Sequence, residues 1–277
     1  MHVRLPIGRH RSRLAAFVAA VFAATLTARA AAPDVQKLIK EKSPALVTIK
    51  FVLKVSMPMM GGEEQESETE ITGVVVDPKG VVLCSNTQLA GFVGLMKKIM
   101  GPMGGQITAT PTDLKVLIGD DAEGKDAELV ARDTELDLAW VRIKEPGDKP
   151  LEHLDLKKSA TAEVGQPIVV VRRLGKYFAR NAVISESRIG GSTSKPRQLF
   201  VPGSAIGMTL GLPVFAADGD FLGVMISQVP ESEDGEFNPM AMMGMISEMQ
   251  DSMTGLILPA SEVAKATARA LESAGKK

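Results

Sequence analysis

A chain of 277 residues, 45% hydrophobic and 23% charged, is long enough to bury a core of its own and has no composition typical of a disordered segment. Its formal net charge of −1 argues against a nucleic-acid partner, because phosphate binding is built on basic patches. The single cysteine, Cys84, rules out an internal disulfide, so folding must rest on the core.

In chain order, the first feature is a positive stretch carrying Arg4, Arg9, Arg11 and Arg13, then an apolar run from Leu14 to Leu26, then Ala28, Arg29 and Ala30. Positive start, short apolar centre and small residues at the −3 and −1 positions predict a secretory signal peptide over residues 1–30. The run is shorter than the roughly 20 residues that span a bilayer, although an uncleaved anchor is the alternative. No cysteine suited to lipid anchoring follows, and no later run is long enough for a membrane span. Export to a periplasm, a cell surface or the outside is therefore expected. Loss of the five arginines in residues 1–30 takes the net charge to about −6.

Ala45 to Ser56 is rich in β-branched residues and partly alternates, which predicts a strand. A loop is expected next, from Met57 through Gly61 and Gly62 and along an acidic run to Glu70. Ile71 to Ser85 holds two apolar runs around Asp77, Pro78, Lys79 and Gly80, a sequence suited to a type I turn and hence a hairpin. After a Gly- and Met-rich stretch from Gly91 to Gly105, strands are predicted at Leu114 to Ile118, Ala127 to Arg132 and Leu138 to Ile143. The polar stretch from Lys144 to Pro150 reads as a linker. Beyond it, Gln166 to Arg172 and Ala182 to Arg188 read as strands, and Leu212 to Ser227 as a hairpin turning at Asp218 and Gly219. The glycine pairs at 61–62, 104–105 and 190–191 read as loop residues. Gly255 to Pro259 precedes an Ala-rich segment, Ser261 to Ala274, read as a helix with Ser261 as N-cap and Glu262 in its first turn. Many short strands with one closing helix indicate barrels or a sandwich.

Five of these segments, in this order, resemble the protease domain of the HtrA/DegP-like trypsin family. Thr72 to Leu83 resembles the hairpin leading to that family's catalytic histidine, and Asp133 to Ala139 the segment carrying its catalytic aspartate, which would be Asp137. Val164 to Gly175 resembles the opening strand of its second barrel. Gly211 to Phe215, with Asp218, Gly219 and Leu222 to Val224 after it, resembles the strand following the catalytic serine. Gly255 to Pro259 before a helix matches the end of the domain. The resemblance covers residues 36 to 272 and implies an all-β fold of two antiparallel six-stranded barrels with a C-terminal helix. The expected parts are a first barrel over 34–149, a second over 150–259 and a helix and tail over 260–277. No PDZ domain is expected after the helix.

A serine-protease triad needs a hydroxyl, an imidazole to take its proton and a carboxylate to orient the imidazole. Counting from Gly80 along the resemblance puts Thr87 at the histidine position, with Gln88 beside it; neither can act as a base near neutral pH. The nucleophile position, three residues before Pro213, is Leu210, and the glycine expected two residues earlier to shape the oxyanion hole is Met208. Of the triad, only Asp137 remains, and it reads more readily as a structural carboxylate held by backbone donors than as a working one. The chain has three histidines, of which His2 and His10 leave with the signal and His153, in the linker region, reads as a surface residue. Cys84 reads as a small buried apolar residue, and Thr209 as inert without a neighbouring base.

Twelve of the fifteen methionines fall in three stretches: Met57, Met59 and Met60; Met96, Met100 and Met103; and Met240, Met242, Met243, Met245, Met249 and Met253. They are candidates for an adaptable apolar surface that holds a protein or peptide. Packing in short helices over the barrels is the plainer reading, and Met242, Met245, Met249 and Met253 do fall at helical spacing. Soft thioether binding of copper(I) is the third, weakened because no His or Cys accompanies the clusters. No metal, nucleotide or other cofactor signature is present, so no cofactor is expected. The expected function is that of a non-catalytic protein- or peptide-binding or regulatory protein, able to form a homo-oligomer. An atypical active endopeptidase and a copper-binding protein are the alternatives.

Overall fold

The computed structural model describes residues 34–56, 64–90, 108–204, 206, 209–228 and 255–274. Helix α1 (Val35–Lys42), capped by the Asp34 side chain accepting from Lys37 N at 3.1 Å, leads through a short 3-10 turn (Ser43–Ala45) into the first barrel. That barrel is built from β1 (Leu46–Ser56), β2 (Glu64–Asp77), β3 (Val81–Ser85), β4 (Thr108–Leu117), β5 (Lys125–Asp133) and β6 (Leu138–Ile143), with the four-residue helix α2 (Asn86–Leu89) after β3. It closes in the order β1-β2-β3-β6-β5-β4. The second barrel comprises β7 (Pro167–Arg173), β8 (Ala182–Thr193), β9 (Leu199–Pro202), β10 (Pro213–Ala216), β11 (Phe221–Ile226) and β12 (Leu256–Pro259), closed as β10-β11-β12-β9-β8-β7. Helix α3 (Ala260–Ala274) follows β12 directly. Every strand pair within the two sheets is antiparallel, so the fold is the all-β double barrel with a C-terminal helix that the sequence implies.

Strand alternation sorts the core into three parts. Val47, Ile49, Val75, Val82, Ala139 and Val141 fill the first barrel. Ile168, Val170, Val214, Leu222 and Ile257 fill the second. The residues between them in sequence, such as Leu46, Val74, Leu83, Leu138 and Trp140, point outward yet stay buried, because they meet Val169, Val171, Phe215, Val224, Leu258 and Val263 across the junction of the barrels. Strands buried on both faces read as near-continuous apolar runs, which is why Val81–Ser85 and Phe221–Ile226 show little alternation. Polar ties reinforce the junction. Arg173 of β7 donates to the carbonyls of Leu46 (2.8 Å) and Ser43 (3.0 Å), and Arg180 Nη2 meets Glu70 Oε1 at 2.7 Å. On α3, Thr267 Oγ1 accepts the indole N–H of the buried Trp140 at 3.1 Å.

Three expectations change. The acidic run to Glu70 is not loop from Glu64 onward but the outer half of β2, paired residue by residue with β1. Cross-strand cations make that pairing favourable: Lys54 sits opposite Glu66 at 2.7 Å, and Lys50 reaches Glu68 at 2.8 Å. Gly190 and Gly191 lie in β8 rather than in a loop; a Cβ on Gly190 would stand 2.7 Å from Gly203 Cα, so the bare backbone allows two strands to approach where the β8–β9 register shifts. Ser261 sits inside the first turn of α3, because the helix begins at Ala260, and is not its N-cap. Three elements have no counterpart in the sequence reading: α1, the four-residue helix α2 and the four-residue β9.

The Trp140–Thr267 bond yields a direct test. Thr267→Val keeps the shape and leaves a buried indole N–H without an acceptor, so urea unfolding is expected to show a loss of about 1–3 kcal/mol. An unchanged unfolding midpoint would mean that the bond contributes nothing to docking α3.

Candidate functional site

Three chain segments meet at one buried carboxylate. The first is the end of β3, where Ser85 adopts an extended conformation and caps α2 by accepting from Gln88 N at 3.1 Å. The second is the turn between β5 and β6, which places Asp137 at φ +55°, a left-handed conformation that Asp tolerates better than most residues. The third is the end of β11, where Ser227 leaves the second barrel.

Asp137 is fully buried. Its Oδ1 accepts from the Thr87 backbone N–H at 2.7 Å. Its Oδ2 accepts from the Ser85 hydroxyl at 3.0 Å and from the Ser227 backbone N–H at 2.9 Å. Its own carbonyl accepts from Asn86 N at 3.1 Å. All four donors are neutral, and among the described residues no cation pairs with the carboxylate. The group therefore acts as an acceptor hub that fixes the backbone of α2 and ties the first barrel to the second.

The structure brings Thr87 and the Leu210 turn toward this hub. Thr87 touches Asp137 through its backbone, while its hydroxyl is buried without a partner. Leu210 immediately precedes Gly211, whose φ is +78° and whose N–H donates to the Met225 carbonyl at 2.7 Å. A Cβ on Gly211 would collide with the backbone N of Ser85 and stand 3.1 Å from the Cys84 carbonyl carbon. Only glycine lets the second barrel's turn lie against the end of β3 in this way. Thr209, 2% exposed, has a hydroxyl with no hydrogen-bond partner and so no base beside it. Asn86 Oδ1, Gln88 Oε1 and Gln228 Oε1 are also buried and unpartnered. Four of these oxygens thus follow β3 or β11, and the fifth, that of Thr209, lies on the turn before β10.

Met208 lies outside the described residues, as do Met57, Met59, Met60, Met96, Met100, Met103, Met240, Met242, Met243, Met245, Met249 and Met253. His153 is exposed in the connection between the barrels, with Nδ1 3.1 Å from the Leu151 carbonyl and no bond to Asp137. Among the described residues no group of three or more His, Cys, Asp or Glu side chains is placed to hold a metal ion, and no helix is long and apolar enough to cross a membrane.

Sequence reasoning missed Ser85 and Ser227 as the partners of Asp137. Ser85 had a signal: Ser85, Asn86, Thr87 and Gln88 fit the Ser-x-x-Gln pattern that opens a helix. Ser227 had none, because its amide reaches Asp137 only once the second barrel has closed against the first.

Comparison with known proteins places this geometry in context. Residues 71–224 match the family model described as a trypsin-like peptidase domain. Among solved structures, the chain is similar to the crystal structure of Deg5, with a TM-score of 0.51 and 16% identity over 83% of this chain and 90% of that one; at that identity the likeness concerns the fold alone. The apo form of the MamO protease domain from Magnetospirillum magneticum gives a TM-score of 0.45 and 15% identity over 82% of this chain and 97% of that one. No curated protein matches significantly.

Cys84, one residue before Ser85, is fully buried in the first barrel with its thiol 3.7 Å from the Ala139 carbonyl. Burial, and secondarily the charge of Asp137, push its pKa up to about 12, against a smaller opposing effect of Arg132. A thiol that stays protonated is neither nucleophile nor ligand. At about pH 8, iodoacetamide is expected to leave the native protein unmodified and to label Cys84 fully in urea. Fast labelling of the native protein, read by mass spectrometry, would overturn this environment.

Proposed function

Because this chain belongs to the trypsin-like peptidase domain family and fills the positions around Asp137 with groups that do not take up protons, we propose that it is a non-catalytic member that binds protein or peptide in the cleft between its barrels. One observation carries the reading. Among the described residues, the hydrogen bonds to the Asp137 carboxylate come from Ser85, Thr87 and Ser227, and none from an imidazole. Hydrolysis through a serine needs a general base within hydrogen-bond reach of the nucleophile. The residue offered at the histidine position is Thr87 and the residue at the nucleophile position is Leu210, whose side chain has no atom to donate. The unpartnered Thr209 hydroxyl and the protonated, buried Cys84 supply no substitute.

Binding has separate support. A buried polar atom without a partner costs about 1–3 kcal/mol. Five oxygens near Asp137 carry that cost: those of Asn86, Thr87, Gln88, Thr209 and Gln228. The methionine-rich stretches, whose sequence suits an adaptable apolar surface, are the candidate contacts for such a partner. Residues 1–30 read as an export signal, so the proposed site of action is outside the cytoplasm. Copies of the chain could also assemble with one another.

The test uses fluorescent, unfolded casein. The purified protein is expected to leave casein intact and to raise its fluorescence anisotropy in a saturable way. Casein fragments that accumulate in proportion to protein concentration would contradict the non-catalytic reading. Absence of binding would contradict its other half.

A further inference from the structure

Among the described residues the large apolar side chains that stand exposed are Val164, Tyr177 and Phe178, and the last two share the tip of the β7–β8 hairpin. Tyr177 is 92% exposed and Phe178 56%. Their rings meet edge to face, with centroids 5.1 Å apart at 87°, and form one aromatic knob. The five residues from Gly175 to Ala179 are all exposed, so the knob projects from the surface and lines no hollow.

The tip is held firmly in this shape. Lys176–Phe178 is a 3-10 turn, closed by Phe178 N donating to the Gly175 carbonyl at 2.9 Å and Ala179 N to the Lys176 carbonyl at 3.0 Å. Ala179 and Arg180 are both left-handed, at φ +50°, a conformation unfavourable for residues that carry a Cβ. It persists where the surroundings enforce it. Here Arg173 Nη1 donates to the Arg180 carbonyl at 3.1 Å while the same guanidinium holds Ser43 and Leu46. Arg180 is tied to Glu70 of the first barrel, and Asn181 Nδ2 donates to the Phe178 carbonyl at 3.0 Å. The knob is thus presented ready-made, and docking it orders little that is not already ordered.

Shape and charge together select what it meets. A folded partner has to offer a hollow fitted to a convex knob, whereas a lipid surface receives an aromatic tip without one. Tyrosine suits that boundary, with its ring among the acyl chains and its hydroxyl at the headgroups. Residues 172–181 hold Arg172, Arg173, Lys176 and Arg180 and no acid. Arg180 is paired with Glu70, and Asp120 stands near Arg173. Glu68, the acid near Lys176, is taken by Lys50 at 2.8 Å. The tip therefore keeps a net positive charge. The acidic balance of the rest of the chain is screened over about 8 Å at physiological salt. We propose that this tip docks on an anionic lipid bilayer, with Tyr177 and Phe178 entering the boundary between headgroups and acyl chains and Lys176 meeting lipid phosphates. What the cleft at Asp137 binds has no bearing on it.

The test is co-sedimentation with vesicles of phosphatidylglycerol mixed with phosphatidylcholine, against vesicles of phosphatidylcholine alone. The protein is used from Ala31 onward, which keeps the compact unit Asp34–Lys277 whole and removes the apolar run of residues 14–26. It is expected to pellet saturably with the anionic vesicles and about tenfold more weakly with the others. Tyr177→Ser combined with Phe178→Ser is expected to weaken pelleting about tenfold with an unchanged urea midpoint, and Lys176→Glu, which keeps both rings, to weaken it severalfold. Tyr177 is the one tyrosine of the chain, so quenching of tyrosine emission by acyl-brominated lipid reads insertion at this tip, with the buried Trp140 as the unquenched control. No pelleting, equal pelleting of the double serine variant, or unquenched tyrosine in the vesicle-bound protein would overturn the proposal. So would a dimer or larger assembly, seen by light scattering, that the double serine variant abolishes, because the tip would then belong to a second copy.

Discussion

The two barrels share one buried carboxylate. Asp137 sits on the first barrel, takes a hydrogen bond from the end of β11 in the second through Ser227, and holds α2 through Ser85 and Thr87. A fully buried anion with neutral donors persists only while each of those bonds is in place. Its left-handed backbone, φ +55°, adds a local constraint that the surrounding hydrogen bonds must hold. The glycine turn at Gly211 fits against the end of β3 beside it, so the cleft wall depends on the same contact region.

That arrangement changes what the cleft can offer. A carboxylate that aligns an imidazole contributes to catalysis; the same carboxylate bonded to two amides and a serine contributes to shape. The family fold supplies a cleft whatever its residues, and fold alone does not decide chemistry. The chemistry rests on the residues present, and the described bonds to the Asp137 carboxylate come from one serine hydroxyl and two backbone amides. The buried oxygens left unpartnered around Asp137 have a physical cost that a packed apolar floor would avoid.

Much of the fold was legible because barrel strands carry local signals. The β2–β3 turn is written in Asp77, Pro78, Lys79 and Gly80, and the structure closes it with Gly80 N donating to the Asp77 carbonyl at 3.0 Å. Strand β9 was not legible, since four residues give too short a window for periodicity. Glu64–Glu70 looked like loop because its charges are paired by lysines on another strand, and pairing of that kind is not local. At the site, resemblance pointed to Asp137 and Thr87, while Ser85 was missed although the Ser-x-x-Gln pattern there was a usable signal. The Ser227 amide carried no signal at all, because its contact spans 90 residues and exists only in the closed structure.

The most direct measurement is the urea unfolding of Asp137→Asn against the parent protein, with amide exchange recorded at Thr87 and Ser227. An asparagine keeps one acceptor oxygen and turns its NH₂ group toward either the Thr87 or the Ser227 backbone N–H, so one good bond becomes a clash of like function and the buried carboxylate's charge-assisted bonds are weakened. The account predicts a loss of about 2–5 kcal/mol and faster exchange at both amides, one in each barrel. An unchanged midpoint with both amides still protected would contradict it, and Asp137 would then be a bystander rather than the junction of the two barrels.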